Sequence, residues 1–270
     1  MTDSLENMDK LVEIITERVA SQLKQMGFMG HEKLIEQCVK NDIECTDCGY
    51  CATEKPEAVK NIVDSGADRI GTKSGIKGEK ITDTLAKKID HTMLKPDASK
   101  EQLIKLCEEA REYKFATVCV NSANIPLVAR LLNGSDVKPI AVVGFPLGAG
   151  SSQSKAFEAK EAIRAGAREI DMVINIGALK SKAYKLVYND IKTVVEASRP
   201  HKVKVIIETA QLTDEEKVIA CALSKTAEAA FVKTSTGFGG GGATIEDIQL
   251  MRRIVGSDME VKASGGIRTQ

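Results

Sequence analysis

The chain predicts an α/β protein, a (β/α)8 barrel whose elements are circularly permuted. From about residue 88 onward, short strand-like runs alternate with amphipathic helical stretches, which calls for parallel strands covered by helices. Seven such strands can be counted before the sequence stops, one short of closure, and an uncovered seventh strand would leave an open sheet edge. A helix followed by one more strand is legible upstream, at 56–72.

The elements follow in order. Pro56 to Ser65 reads as a helix, and Gly66 to Thr72 as a strand entering a Gly/Ser turn. The seven downstream strands are Lys88 to Thr92, Ala116 to Asn121, Pro139 to Phe145, Glu169 to Ile174, Lys202 to Glu208, Ala229 to Ser235 and Glu260 to Gly265. Helices such as Ser99 to Tyr113 and Ser154 to Ala165 separate them. In this reading, residues 56 to 87 supply the last helix, the last strand and its following helix, and the permutation lies in the loop after the seventh strand. Loops that join chain ends close in space tolerate such cuts. The expected organisation is an amphipathic helix and linker at 1–30, a Cys-rich segment at 31–55 and the barrel at 56–270.

Composition narrows the function. The 270 residues are 43% hydrophobic with six prolines, enough for a substantial core. Lys plus Arg and Asp plus Glu both total 38, so no basic field is expected to hold nucleic acid or an anionic membrane. No apolar run approaches the roughly 20 residues of a membrane span, and the N-terminus lacks the basic-then-apolar order of a secretory signal. The expectation is a cytoplasmic protein without nucleic-acid or membrane partners.

Two lysines carry the chemistry. Lys233 ends the apolar run Ala-Ala-Phe-Val-Lys and Lys262 ends Met-Glu-Val-Lys, and each runs into a glycine-containing turn. A lysine on an apolar strand must desolvate its ammonium, which lowers its pKa, and a second cation nearby lowers it further. An amine that is neutral near pH 7 attacks carbonyl carbon and forms a Schiff base. The alternative is that both side chains snorkel to the surface from ordinary strands.

The text around these lysines closely resembles the deoxyribose-phosphate aldolase family of class I aldolases. The resemblance is carried by Ile89-Asp90-His91-Thr92-Met93-Leu94-Lys95-Pro96, Val118-Cys119-Val120-Asn121, Val143 to Gly148, Glu169 to Gly177, Phe231 to Phe238 and Val261 to Thr269. It covers residues 88 to 270 plus the displaced piece 56 to 76, which in the family follows the second lysine. It implies a TIM barrel that reversibly cleaves 2-deoxyribose 5-phosphate to acetaldehyde and glyceraldehyde 3-phosphate. It also implies roles: Lys233 forms the Schiff base, Lys262 is the neighbouring cation, and Asp171 at the end of the fourth strand moves protons with an ordered water. A purely structural pairing of Asp171 with Lys262 is compatible with that role. Asp90 either orients the substrate hydroxyl or the lysine pair, or caps the following turn. Cys119 matches a cysteine that faces the family's site, although a small core thiol is the simpler reading of its side chain.

Phosphate needs backbone N–H groups with few side chains in the way, and glycine ends three adjacent strands: Thr236-Gly237, Gly265-Gly266, and Gly71 with Ser74. Lys73 stands where the family usually has serine; it either adds charge for the phosphate or points away. A related lysine aldolase acting on another phosphorylated sugar therefore stays open. The chemical step needs no cofactor, since the carbanion equivalent is held as an enamine. His31, His91 and His201 are too dispersed to hold a zinc ion for a metal-dependent aldolase.

Two features lie ahead of the barrel. Residues 5 to 26 place Met8, Leu11, Val12, Ile15, Val19, Leu23 and Met26 on one helical face. The stretch resembles the encapsulation helices that dock enzymes to bacterial microcompartment shell proteins; an oligomerisation helix or one packed on the barrel shows the same pattern. Cys45, Cys48 and Cys51 have half of a ferredoxin-like spacing, with Lys55 in place of the fourth cysteine, and Cys38 could complete a zinc or iron-sulfur site. A relic without metal is equally compatible. A homo-oligomer is expected. The alternative from a different class is a catalytically silent barrel serving as a microcompartment scaffold or a metal-linked redox sensor.

Overall fold

A computed structural model of the chain describes residues 56–73 and 81–265. The expected helix at 5–26, the candidate ligands Cys38, Cys45, Cys48 and Cys51, and the turn residues Ser74 and Gly266 lie outside these described residues.

Eight parallel strands close into a barrel in chain order. They are β1 (Arg69–Lys73), β2 (Ile89–Met93), β3 (Thr117–Asn121), β4 (Lys138–Val143), β5 (Glu169–Val173), β6 (Lys202–Ile206), β7 (Phe231–Lys233) and β8 (Glu260–Ala263). The helices are α1 (Pro56–Asp64), α2 (Asp83–Ala86), α3 (Lys100–Glu112), α4 (Ile125–Leu131), α5 (Ser152–Arg164), α6 (Ile176–Lys180), α7 (Tyr184–Ser198), α8 (Asp214–Thr226) and α9 (Ile245–Val255). Every residue of β5 is buried, as expected where a parallel sheet is covered on one face by helices and filled on the other by its own side chains. Among the described residues no helix is long and apolar enough to cross a membrane.

Local chemistry places the helix starts. Ser99 and Gln102 form a reciprocal capping box ahead of α3, Thr213 and Glu216 form one ahead of α8, and Ser151 and Thr244 cap α5 and α9. These caps satisfy orphan amides at the mouths of the strand-to-helix loops.

The strand read upstream is the one that closes the sheet. β1 pairs with β2 through Ile70↔Ile89 to Lys73↔Thr92, and with β8 through Arg69↔Lys262 and Ile70↔Ala263. Arg252 of α9 holds its entry, donating to the Gly66 carbonyl at 2.9 and 3.1 Å and ion-pairing with Asp68 Oδ2, which also accepts the Val261 amide at 2.9 Å. Val59 and Ile62 bury the inner face of α1.

Boundaries differ from expectation for local reasons. The first strand begins at Arg69 and not at Gly66, because Gly66, at φ +113°, and Ala67 bond back to Val63 and Ile62 and finish the preceding helix. β4 ends before Phe145 because Gly144 turns out at φ +60° and gives its amide to Glu158. The helix expected after β1 is, among the described residues, the four-residue α2.

Candidate active site

The barrel interior holds a cluster of buried charges, and Asp171, expected at the end of its strand, is the middle residue of β5. Alternation along each strand sends Asp90 of β2, Asp171 of β5, Lys233 of β7 and Lys262 of β8 inward, and all four are buried. Lys233 and Lys262 are register partners. Lys233 Nζ donates to Asp171 Oδ2 at 2.8 Å, and Lys262 Nζ donates to the same oxygen at 3.0 Å. Lys262 Nζ also lies 2.7 Å from Asp90 Oδ2. Neither lysine snorkels: their side chains are 2% and 0% exposed.

The sequence reading missed three members of this cluster. Lys204 of β6, register partner of Asp171, donates to Asp171 Oδ1 at 3.1 Å and bonds Glu169 Oε2. Glu169 opens β5, two residues before Asp171 on the same face. Arg69 of β1 donates to Asp90 Oδ1 at 2.6 Å, beside Thr117 Oγ1 at 2.7 Å, and reaches Glu169 Oε1 at 3.7 Å. A signal existed in Lys202-Val203-Lys204-Val205-Ile206, where Lys204 is flanked on both sides by apolar residues in the middle of a short parallel strand. Asp90 does not cap the following turn, since its carboxylate is taken up by Arg69, Thr117 and Lys262.

Electrostatics separates the two lysines. Burial lowers the Lys233 pKa; Asp171 opposes that and Lys262 adds to it, and the balance falls below the ordinary lysine value. Burial acts on Lys262 too, but Asp171 and Asp90 together overcome it and hold it a cation. Lys204 is likewise raised, against burial, by Asp171, Asp90 and Glu169. Burial would raise the Asp171 carboxyl, yet Lys204, Lys233 and Lys262 hold it well below the usual carboxylate range. Asp90 is depressed similarly, against burial, by Lys262, Lys204 and Arg69. The arrangement makes Lys233 easier to deprotonate than an ordinary lysine, beside a carboxylate that stays ionised.

The rest of the mouth is apolar or turns on glycine. Cys119 of β3 packs with Leu94, Ile140 and Val142, and burial lifts its thiol to about 11, so it forms an apolar wall. Phe145 and Phe238 meet edge to face, with centroids 5.3 Å apart, across the β4–α5 and β7–α9 loops. Thr236 directs both its amide, at 3.1 Å, and its hydroxyl to Glu208 Oε2, so this expected phosphate contact is already hydrogen-bonded within the protein. Glu208 takes the left-handed conformation at φ 57°, and a Cβ on Gly239 would fall 2.8 Å from its Cδ. Gly237 and Gly265 have φ of +84° and +75°, a turn that glycine adopts without strain. Gly71 of β1 lies against Ser264, where a Cβ would meet its Oγ at 3.2 Å, which brings the β1 and β8 ends close together. Lys73 is in β1, and its side chain is outside the described residues. His91 faces away from the barrel axis, between Thr72 and Glu109 at 3.1 and 2.8 Å.

Comparison with known proteins adds the following. Residues 84–270 match the model of the DeoC/LacD family aldolases. A deoxyribose-phosphate aldolase of Streptococcus sanguinis is 62% identical over 185 residues, 68% of this chain and 84% of that protein. One of Clostridium perfringens is 62% identical over 186 residues, 68% of this chain and 83% of that protein. Among solved structures, a putative deoxyribose-phosphate aldolase from Coccidioides immitis is 39% identical, with a TM-score of 0.67 over 79% of this chain and 86% of that one. The tetrameric deoxyribose phosphate aldolase of Aeropyrum pernix is 31% identical, with a TM-score of 0.66 over 78% of this chain and 86% of that one.

Proposed function

The chain belongs to the DeoC/LacD aldolase family, and on that premise we propose that it is a class I deoxyribose-phosphate aldolase working through Lys233. The observation that carries the reading is the pair of lysines on one carboxylate oxygen, one held charged and the other with its pKa lowered. Relatives at 62% identity supply the substrate class, 2-deoxyribose 5-phosphate.

The residues perform the reaction as follows. The Lys233 amine attacks the aldehyde carbon of the open-chain sugar, giving a carbinolamine that loses water to become an iminium ion. The 3-hydroxyl loses its proton, the C2–C3 bond breaks, and its electron pair moves toward the iminium nitrogen as an enamine. Glyceraldehyde 3-phosphate departs. Protonation of the enamine at carbon and addition of water release acetaldehyde and the free lysine. Asp171, ionised and 2.8 Å from Lys233 Nζ, is placed to accept and return the protons at nitrogen and carbon. Lys262 stays a cation throughout and favours the uncharged form of Lys233. Asp90 holds Lys262 in place. The backbone turns at Gly237 and Gly265, with Gly71 inside β1 and not at a turn as expected, leave room for a phosphate, and Lys73, Ser74 and Gly266 continue that rim in sequence.

We also propose that the order of elements is a circular permutation. In support, the family model begins at residue 84, whereas β1, which joins β8 to β2, lies upstream of it. For residues 5–26 we propose docking to a microcompartment shell protein, supported by their one-sided apolar pattern; residues 1–30 fused to a reporter should then co-localise with the shell. We propose a cytoplasmic homo-oligomer outside that setting, and a structural zinc or iron-sulfur group on Cys38, Cys45, Cys48 and Cys51 that takes no part in the aldol step. The function itself is tested by assaying release of glyceraldehyde 3-phosphate from 2-deoxyribose 5-phosphate; absence of release at any pH would return the catalytically silent scaffold.

A further inference from the structure

The buried cluster has a charge balance that singles out one residue. Its carboxylates are Asp90, Asp171 and Glu169, and its cations are Lys204, Lys262 and Arg69, with Lys233 as the seventh group. With Lys233 uncharged, three negative charges face three positive ones; with Lys233 protonated, the buried cluster carries an excess positive charge. Two of the cations are lysines packed into the site itself. The third, Arg69, enters from β1, which lies outside the residues that the family model matches.

Arg69 is suited to that position. Its guanidinium cannot lose its proton at working pH, so its charge does not vary, and its fork reaches Asp90 at 2.6 Å and Glu169 at 3.7 Å together. It lies 5.8 Å from the centroid of Phe231, the residue two before Lys233 on β7. At 13% exposure its contacts are screened little by water.

We infer that Arg69 is a positioning residue of this site, the fixed charge that completes neutralisation of Asp90 and Glu169 so that Lys233 is left as the free amine. The inference rests on the reading of Lys233 as the Schiff-base lysine. Without Arg69, three carboxylates face Lys204 and Lys262 alone, and the remaining group able to supply positive charge within the buried cluster is Lys233, which contacts Asp171. A protonated Lys233 has no lone pair for the carbonyl.

The other charged groups facing this network do not substitute for Arg69. Lys138 of β4 stands 3.8 Å from Glu169 with a side chain 54% exposed. Lys202 of β6 pairs with Glu260 of β8 at 2.5 Å on the rim, where both are substantially exposed. Cys119 of β3 stays a thiol over the relevant range, since burial raises it to about 11. Solvent screens the rim groups, so the buried members decide the balance.

The test is the pH dependence of acetaldehyde trapping on Lys233 by borohydride, read by peptide mass spectrometry, in wild type, Arg69→Met, Arg69→Lys, Glu169→Gln and the Arg69→Met/Glu169→Gln double variant. The acid limb of adduct formation is expected to move up by roughly one pH unit in Arg69→Met, with recovery at alkaline pH. It should stay in place in Arg69→Lys, move down in Glu169→Gln, and return toward wild type in the double variant. An adduct yield that falls equally at every pH in Arg69→Met, or an unmoved limb in Glu169→Gln, overturns the inference while leaving the Schiff-base reading intact. Should Arg69→Met fail to fold, the direction of the Glu169→Gln shift decides. No adduct in wild type at any pH overturns the Schiff-base reading and the inference with it.

Discussion

Lys233 and Lys262, register partners on adjacent strands, direct their Nζ atoms to the same oxygen, Asp171 Oδ2, at 2.8 and 3.0 Å. Two ammonium ions at that spacing would repel in a buried site, and the repulsion is relieved by deprotonating the one with fewer carboxylate partners. Lys262 has both Asp171 and Asp90; Lys233 has Asp171. On that balance Lys233 is the lysine whose ammonium is the less favoured of the two, as the proposed mechanism requires.

Lys233→Ala should lower turnover by roughly a thousandfold or more while the barrel stays folded. Asp171 retains Lys204 and Lys262 as partners in that variant, so no buried carboxylate is left unpaired. Steady-state kinetics beside circular dichroism checks both halves; retained turnover would remove Lys233 from the mechanism.

The pH profile follows from the sign of the shift at Lys233. Burial and Lys262, against Asp171, lower its pKa, and the amine reacts only above that value. Activity should therefore be lost as pH falls through a midpoint below the ordinary lysine range. In Lys262→Met the limb should move to higher pH, because the charge that disfavours a second ammonium is gone.

Asp171 and Asp90 give a separate pH prediction for stability. Both carboxyls are depressed in the folded state, so the stability they contribute is complete above their unfolded pKa, about 3.9. It is lost as pH falls from there toward the folded values. Acid unfolding of Asp171→Asn should be less steep than that of wild type, which denaturant midpoints at pH 5 and pH 3 would read.

Removing residues 1–55 should leave an active barrel, whereas removing residues 1–80 takes away β1, opens the sheet between β8 and β2 and removes Arg69. A fully active second truncation would show that β1 is dispensable. A milder version is Arg252→Ala, which loses the bonds to Gly66, Gly256 and Met259 and the ion pair with Asp68; a cost of about 2 kcal/mol is expected in thermal or denaturant melts.

Much of the barrel was legible because parallel strands read as apolar runs between capped helices, and Ile140 to Val143 is such a run. The upstream strand was legible only through the vacancy it fills. Lys233 and Lys262 stood out because their flanks match. Glu169 and Arg69 did not, since each opens a strand, where a charged residue ordinarily faces solvent, and Lys204 was obscured by the exposed Lys202 two positions before it; that they turn inward depends on strand register and barrel tilt, which one strand's sequence does not contain. Thr236 was read as a phosphate contact from its place beside Gly237, and its bonds to Glu208, 28 positions earlier, are equally non-local.

The most direct test of the account is borohydride reduction in the presence of acetaldehyde, followed by peptide mass spectrometry. The account predicts a single two-carbon ethyl adduct on Lys233, with Lys262 and Lys204 unmodified. An unmodified protein, or an adduct on Lys262 with Lys233 free, would contradict it.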